Sequence, residues 1–88
     1  MDKRQNEILL ILQEECAEVI QAISKVKRFG LENNIEQLNQ EVADVLCMIT
    51  LAYDHGILEK NEEKIHQRIT TKQERLKKYS SIYETEST

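Results

Sequence analysis

Proline is absent from this 88-residue chain and glycine occurs only twice. With so few residues that break or sharply turn a backbone, the composition is that of long helices joined by short connections. Aromatic residues make up only 5% of the chain, against 32% charged and 40% apolar. Both figures suit amphipathic helices. The two cysteines, Cys16 and Cys47, have no CxxC spacing and sit in apolar helical contexts. They read as reduced core thiols, which fits a cytoplasmic protein. No apolar run is long enough to cross a membrane. The longest near the N-terminus, Ile8-Leu9-Leu10-Ile11-Leu12, follows Lys3 and Arg4 but stops at Gln13-Glu14-Glu15, too soon for a secretory segment. A net charge of −4 argues against nucleic acid as the main partner. A phosphate-cradling GxxxxGK[ST] loop is also missing, as is a well-placed Ser, Cys or His nucleophile.

The least expected absence is local. No Lys or Arg occurs between Glu7 and Ala22, and none between Leu31 and Ile57. Yet these stretches hold Glu14, Glu15, Glu18, Glu41 and Asp44, and Asp44 stands within the apolar sequence Val42-Ala43-Asp44-Val45-Leu46-Cys47-Met48-Ile49. An unpaired charge is costly to bury. Glu15 and Glu18 are i and i+3, as are Glu41 and Asp44, so each pair stands on one face of a helix about a turn apart. Two such helices packed antiparallel bring four carboxylates to one point. Alone, Glu14-Glu15-x-x-Glu18 would read as a solvated stripe; with Asp44 beside it, the leading explanation is a bound cation. An all-oxygen donor set suits Mg²⁺, with Mn²⁺ as a possible substitute, better than zinc.

The periodicity gives the scaffold. Ile8, Leu12, Cys16, Val19, Ile23 and Val26 mark a helix from about Lys3 to Arg28, with Lys25, Lys27 and Arg28 near its end and Gly30 as its stop. A short loop, 29–33, leads to Asn34, which with Gln37 could form a capping box for a second helix running to about Tyr53. That helix is apolar almost all round from Val42 onward and is expected to be central. A third helix runs from near Glu59 to Tyr79 or Tyr83, and Glu84 to Thr88 read as a disordered tail. The expected fold is all-α, with three or four antiparallel helices per chain. So small a chain cannot bury both faces of the second helix, which implies a homodimer or homotetramer assembled as a helical bundle.

Glu14-Glu15-Cys16-Ala17-Glu18 followed by Glu41-Val42-Ala43-Asp44 resembles the EExxE…ExxD signature of the MazG-like all-α nucleotide pyrophosphohydrolases. The likeness extends through Val19-Ile20-Gln21 and Lys25-Val26-Lys27-Arg28-Phe29-Gly30. There it resembles the short single-domain MazG-like proteins, including those of phages. The resemblance implies one domain over residues 1–83. It also implies Mg²⁺-dependent hydrolysis of a nucleoside triphosphate to monophosphate and pyrophosphate. On that resemblance Glu15, Glu18, Glu41 and Asp44 are the metal ligands, and Glu18 or Glu14 orients or deprotonates the attacking water.

Three basic residues are candidates for the phosphates. Lys25 lies seven residues after Glu18, on the same helical face. Lys64 and Arg68 begin a basic stripe on the third helix that continues through Lys72 and Arg75; a solvated basic face is the simpler explanation of that stripe. Lys60-Asn61 and Lys64 only approximate the Lys/Asn/Arg set of the MazG-like proteins. Two competing functions remain. Glu63-Lys64-Ile65-His66 matches one ExxH element of a di-iron carboxylate bundle, and the chain could instead be a non-enzymatic helical interaction module. Nothing in the sequence selects a nucleobase.

Overall fold

The computed structural model of the chain describes residues 1–85. They form three helices and no strand: α1 (Lys3–Phe29), α2 (Ile35–Asp54) and α3 (Glu62–Tyr79). The expected all-α class is therefore observed, with three helices. Of the expected tail, residues 86–88 lie outside the described residues, while the Glu84 N–H donates to the Ser81 carbonyl at 3.1 Å.

The helix ends follow local chemistry. At the start of α1 the Asp2 carboxylate accepts from the Gln5 N–H at 2.7 Å, and the Gln5 side-chain oxygen accepts from the Asp2 N–H at 3.0 Å. This is a reciprocal capping box built on Asp and Gln. The Gln5 amide also donates to the His55 carbonyl at 2.9 Å, tying the start of α1 to the end of α2. Gly30 ends α1 as expected, at φ +96°, with its N–H on the Val26 carbonyl.

The expected capping box at Asn34 and Gln37 does not form. The Asn34 side chain makes no cap bond to α2; its amide donates back to the Gly30 carbonyl at 2.8 Å and so closes the α1–α2 loop. A cap appears instead at Asn61, whose side chain accepts from the Lys64 N–H at 3.0 Å. The third helix consequently begins at Glu62 rather than near Glu59, and it ends at Tyr79, the earlier of the two expected limits.

α1 packs on α2, whereas α3 packs on neither. Between Leu12 and Val26 the residues of α1 withdrawn from solvent are Leu12, Glu15, Val19, Ala22 and Val26; between Ile35 and Met48 those of α2 are Leu38, Glu41, Val45 and Met48. Alternating steps of three and four are the pattern of a helix–helix seam. The buried cluster is Ile8, Met48 and Ala52, flanked by Ile11, Leu12, Leu51 and Ile57. Ala22 is buried separately, further along α1.

As expected of so small a chain, α2 is not covered on all sides: only Met48 and Ala52 are buried in it, and Leu46 is 58% exposed. One expectation needs correction: Cys16 and Cys47 are not core thiols, since both are free and exposed. The cause is the same. The seam uses one face of each helix, and a single chain offers nothing to cover the apolar residues on the next face. The molecule is correspondingly thin, with a Cα radius of gyration of 16.5 Å and extents of 54 × 34 × 17 Å.

Ala52 is fully buried in the cluster with Ile8 and Met48. Ala52→Leu is expected to lower stability by about 1–3 kcal/mol through overpacking. Chemical denaturation checks this, and a variant as stable as the wild type would show that the seam is looser than described.

Candidate metal centre

The geometry of the acidic site follows from the register of the seam. The Gln5–His55 hydrogen bond and the Ile8–Met48–Ala52 cluster fix one end, and the loop closed by Asn34 fixes the other. Between them Glu15 of α1 meets Glu41 and Asp44 of α2. Each of the three offers a carboxylate oxygen, and these oxygens lie within 4.8 Å of one another. Glu15 and Glu41 are half-buried in the seam and Asp44 is exposed at its rim. The distribution of burial thus differs from the sequence reading, in which Asp44 was the anomaly. Asp44 is surrounded by apolar residues in sequence, but several of them, Val42 and Leu46 included, face outward.

Among the described residues no Lys or Arg pairs with this group. Among the described residues the ion pair is Lys77–Glu74, at 3.1 Å within α3. The electrostatic consequence falls on Glu15. Partial burial raises its pKa above the ordinary glutamate value, and the negative charges of Asp44, Glu41, Glu18 and Glu14 raise it further.

The donor set fits a hard divalent cation. Mg²⁺ holds oxygens at about 2.0–2.1 Å in an octahedron, so its ligand oxygens stand no more than about 4 Å apart. Small side-chain rotations would bring the three oxygens to that spacing. The open side of the site is a pocket of about 230 Å³ lined by Glu15, Asp44, Cys47 and Met48. Water or a ligand oxygen has room there to complete a coordination shell.

The remaining candidates are placed as follows. Glu18 and Glu14 are exposed on α1 and stand outside the trio, although their charges reach Glu15. Lys25 is exposed ten residues beyond Glu15, roughly 15 Å along the helix. Lys64 and Arg68 are exposed on α3, and none of these three cations lines the acidic pocket. Asn61 is engaged in capping α3. Glu63 and His66, the ExxH pair of a di-iron bundle, are exposed on α3, apart from the acidic trio. The sequence reading missed Cys47 and Met48 as pocket residues. Their spacing of three and four from Asp44 was the signal that could have placed them beside it.

Residues 3–79 match the MazG nucleotide pyrophosphohydrolase domain among the known protein families, and the chain belongs to that family. No curated protein and no solved structure gives a significant match. No helix among the described residues is long and apolar enough to cross a membrane.

The shifted Glu15 generates a prediction with a definite sign. Its pKa is higher folded than unfolded, so below the ordinary glutamate value the group is protonated in both states and has no effect. As pH rises from there through the raised value, the folded state keeps the proton that the unfolded state has lost, and stability falls. Urea denaturation in chelator should show this fall in the wild type and not in Glu15→Gln. Saturating Mg²⁺ should raise the melting temperature above the window, because the ion binds the ionised folded site. Asp44→Asn should fold without metal and be at least as stable as the wild type. Equal pH profiles for wild type and Glu15→Gln, together with no thermal response to Mg²⁺, would contradict a carboxylate metal site.

Proposed function

We propose that the chain is a Mg²⁺-dependent nucleoside triphosphate pyrophosphohydrolase that releases a nucleoside monophosphate and pyrophosphate. The observation that carries this reading is the convergence of Glu15, Glu41 and Asp44, from two helices, with no Lys or Arg of the described residues paired to them. Family membership supplies the reaction class. The ligands would be Glu15, Glu41 and Asp44, with Glu18 completing the set. When bound, the cation would neutralise phosphate charge and acidify a water molecule. The chain's own part is to hold the carboxylates in register and to keep Glu15 partly withdrawn from bulk water. In this reading Glu18 or Glu14, both exposed on α1, would accept a proton or orient water. Lys25, Lys64 and Arg68 are assigned to the substrate's phosphates. The two free thiols support a reducing compartment, and the reading is of a cytoplasmic enzyme.

The assembly belongs to the same proposal. We infer an antiparallel α1–α2 pair, consistent with Gln5 meeting His55 and Glu15 meeting Glu41. In such a pair Ile20 and Ile23 of α1 and Val42 and Leu46 of α2 share the side away from Glu18 and Asp44. All four are exposed in the single chain. A second copy covering this side would complete a four-helix bundle, giving a homodimer or a dimer of dimers. Thermal stability should then rise with protein concentration. A folded monomer in sedimentation at micromolar concentration would rule the assembly out.

Turnover is the decisive test. A panel of canonical and modified triphosphates, incubated with and without Mg²⁺, should give monophosphate and pyrophosphate in equal amounts for at least one member. Glu15→Gln, Glu41→Gln and Asp44→Asn should each reduce that turnover by orders of magnitude, because each removes a ligand that positions the ion. Nucleoside diphosphate and orthophosphate as the first products would overturn the cleavage site. A folded, metal-binding protein inert to the whole panel would favour a non-enzymatic helical module.

A further inference from the structure

A second pocket, of about 270 Å³, opens at the junction of α2 and α3 between Thr50, Tyr53, Asp54, Lys60, Glu62 and Ile65. It lies close to the acidic site along α2. Cys47 lines the acidic pocket and Thr50 lines this one, a separation of three residues or roughly 4.5 Å of helix rise. Cys47, Thr50 and Asp54 stand at i, i+3 and i+7, on one face of α2. A ligand with a charged end at the acidic site could therefore reach the junction pocket along a continuous surface of the same helix.

The chemistry of the junction pocket differs from that of the acidic site. Tyr53 supplies an aromatic ring and Ile65 an aliphatic wall. Thr50 donates its hydroxyl proton to the Leu46 carbonyl at 2.9 Å, which leaves its oxygen as an acceptor. Asp54 and Glu62 add carboxylate acceptors and Lys60 adds one ammonium donor. These three charged groups line one pocket, yet none of them forms an ion pair among the described residues. Acceptors outnumber donors, so the pocket suits a flat, partly apolar group that carries N–H donors and at least one acceptor.

We propose that the junction pocket seats the nucleoside end of the substrate, with Tyr53 and Ile65 against the base and Asp54 and Glu62 accepting from an exocyclic amine. This rests on the triphosphate reading above, in which the phosphates lie at Glu15, Glu41 and Asp44. It assigns the chain a preference for amine-bearing bases, which the acidic site by itself cannot express.

The test uses the full chain, labelled with ¹⁵N, titrated with adenosine, cytidine and uridine in the absence of metal. The amides of Thr50, Tyr53 and Ile65 are expected to shift saturably, and the amine-bearing nucleosides to bind more tightly than uridine. Asp54→Asn should weaken that binding by about tenfold or more, the loss expected for a hydrogen bond to a charged group. Ile65→Ser, on the opposite wall, should weaken it independently. Glu41→Gln should leave the shifts in place. The proposal is overturned if these amides stay silent, if uridine binds as tightly as the others, or if Asp54→Asn and Ile65→Ser have no effect. It is overturned equally if the same amides respond to protein concentration rather than nucleoside, which would mean that a second copy covers the pocket. Nucleosides carry no phosphate, so a failed hydrolysis assay would sink the triphosphate reading without altering this outcome. A silent titration beside an active carboxylate site would sink the pocket alone.

Discussion

Two carboxylates stand in a helix seam where every other position is apolar, and the rest of the molecule is arranged around that conflict. Glu15 faces Glu41 at positions whose neighbours along the seam are Leu12, Val19, Leu38 and Val45. Apolar residues there would have given one continuous core. Instead the buried side chains fall into the Ile8–Met48–Ala52 cluster at one end and an isolated Ala22 at the other. The charges oppose packing twice, through lost hydration and through mutual repulsion, and the raised pKa of Glu15 expresses both. A site that weakens its own fold in this way is what is expected where function sets the residues.

The conflict is tolerable because the seam is fastened on either side of it. The capped start of α1 is bonded to the end of α2 through Gln5, and the other end is closed by the short loop and the Asn34–Gly30 hydrogen bond. The acids are thus brought together by the register of two rigid helices rather than by a flexible loop. Such a frame holds donor spacing well, so a cation binding under the proposed function would have little to reorganise.

Much of this was legible in the sequence because it depends on spacing. Scarce breakers gave long helices and Gly30 gave the end of α1; of the two i, i+3 acidic pairs, Glu15, Glu41 and Asp44 come together while Glu18 stays outside the trio. What was not legible depends on three-dimensional competition. Asn34 looked like a cap for α2, but its side chain is drawn to the nearer Gly30 carbonyl. Asp44 looked like the buried charge because sequence neighbours on all sides are apolar. Which of those neighbours are covered is decided by the single partner helix, and that helix selects Glu41 instead. Cys16 and Cys47 looked like core residues for the same reason and are exposed. An apolar residue declares that it needs cover, but not whether the cover comes from its own chain.

Charge is unevenly distributed along the chain. Five carboxylates, Glu14, Glu15, Glu18, Glu41 and Asp44, cluster on the α1–α2 pair, while Lys64, Arg68, Lys72 and Arg75 stand on α3, which packs on neither helix. No Lys or Arg lines the acidic pocket itself, so a phosphate placed there would need a divalent cation to invert the local field. Under the proposed function, phosphate recognition is therefore conditional on the metal, whereas recognition of an uncharged nucleoside at Tyr53 and Asp54 is not. The two ends of the substrate would be read by opposite physics: one by a cation between carboxylates, the other by hydrogen bonds and apolar contact at a helix junction.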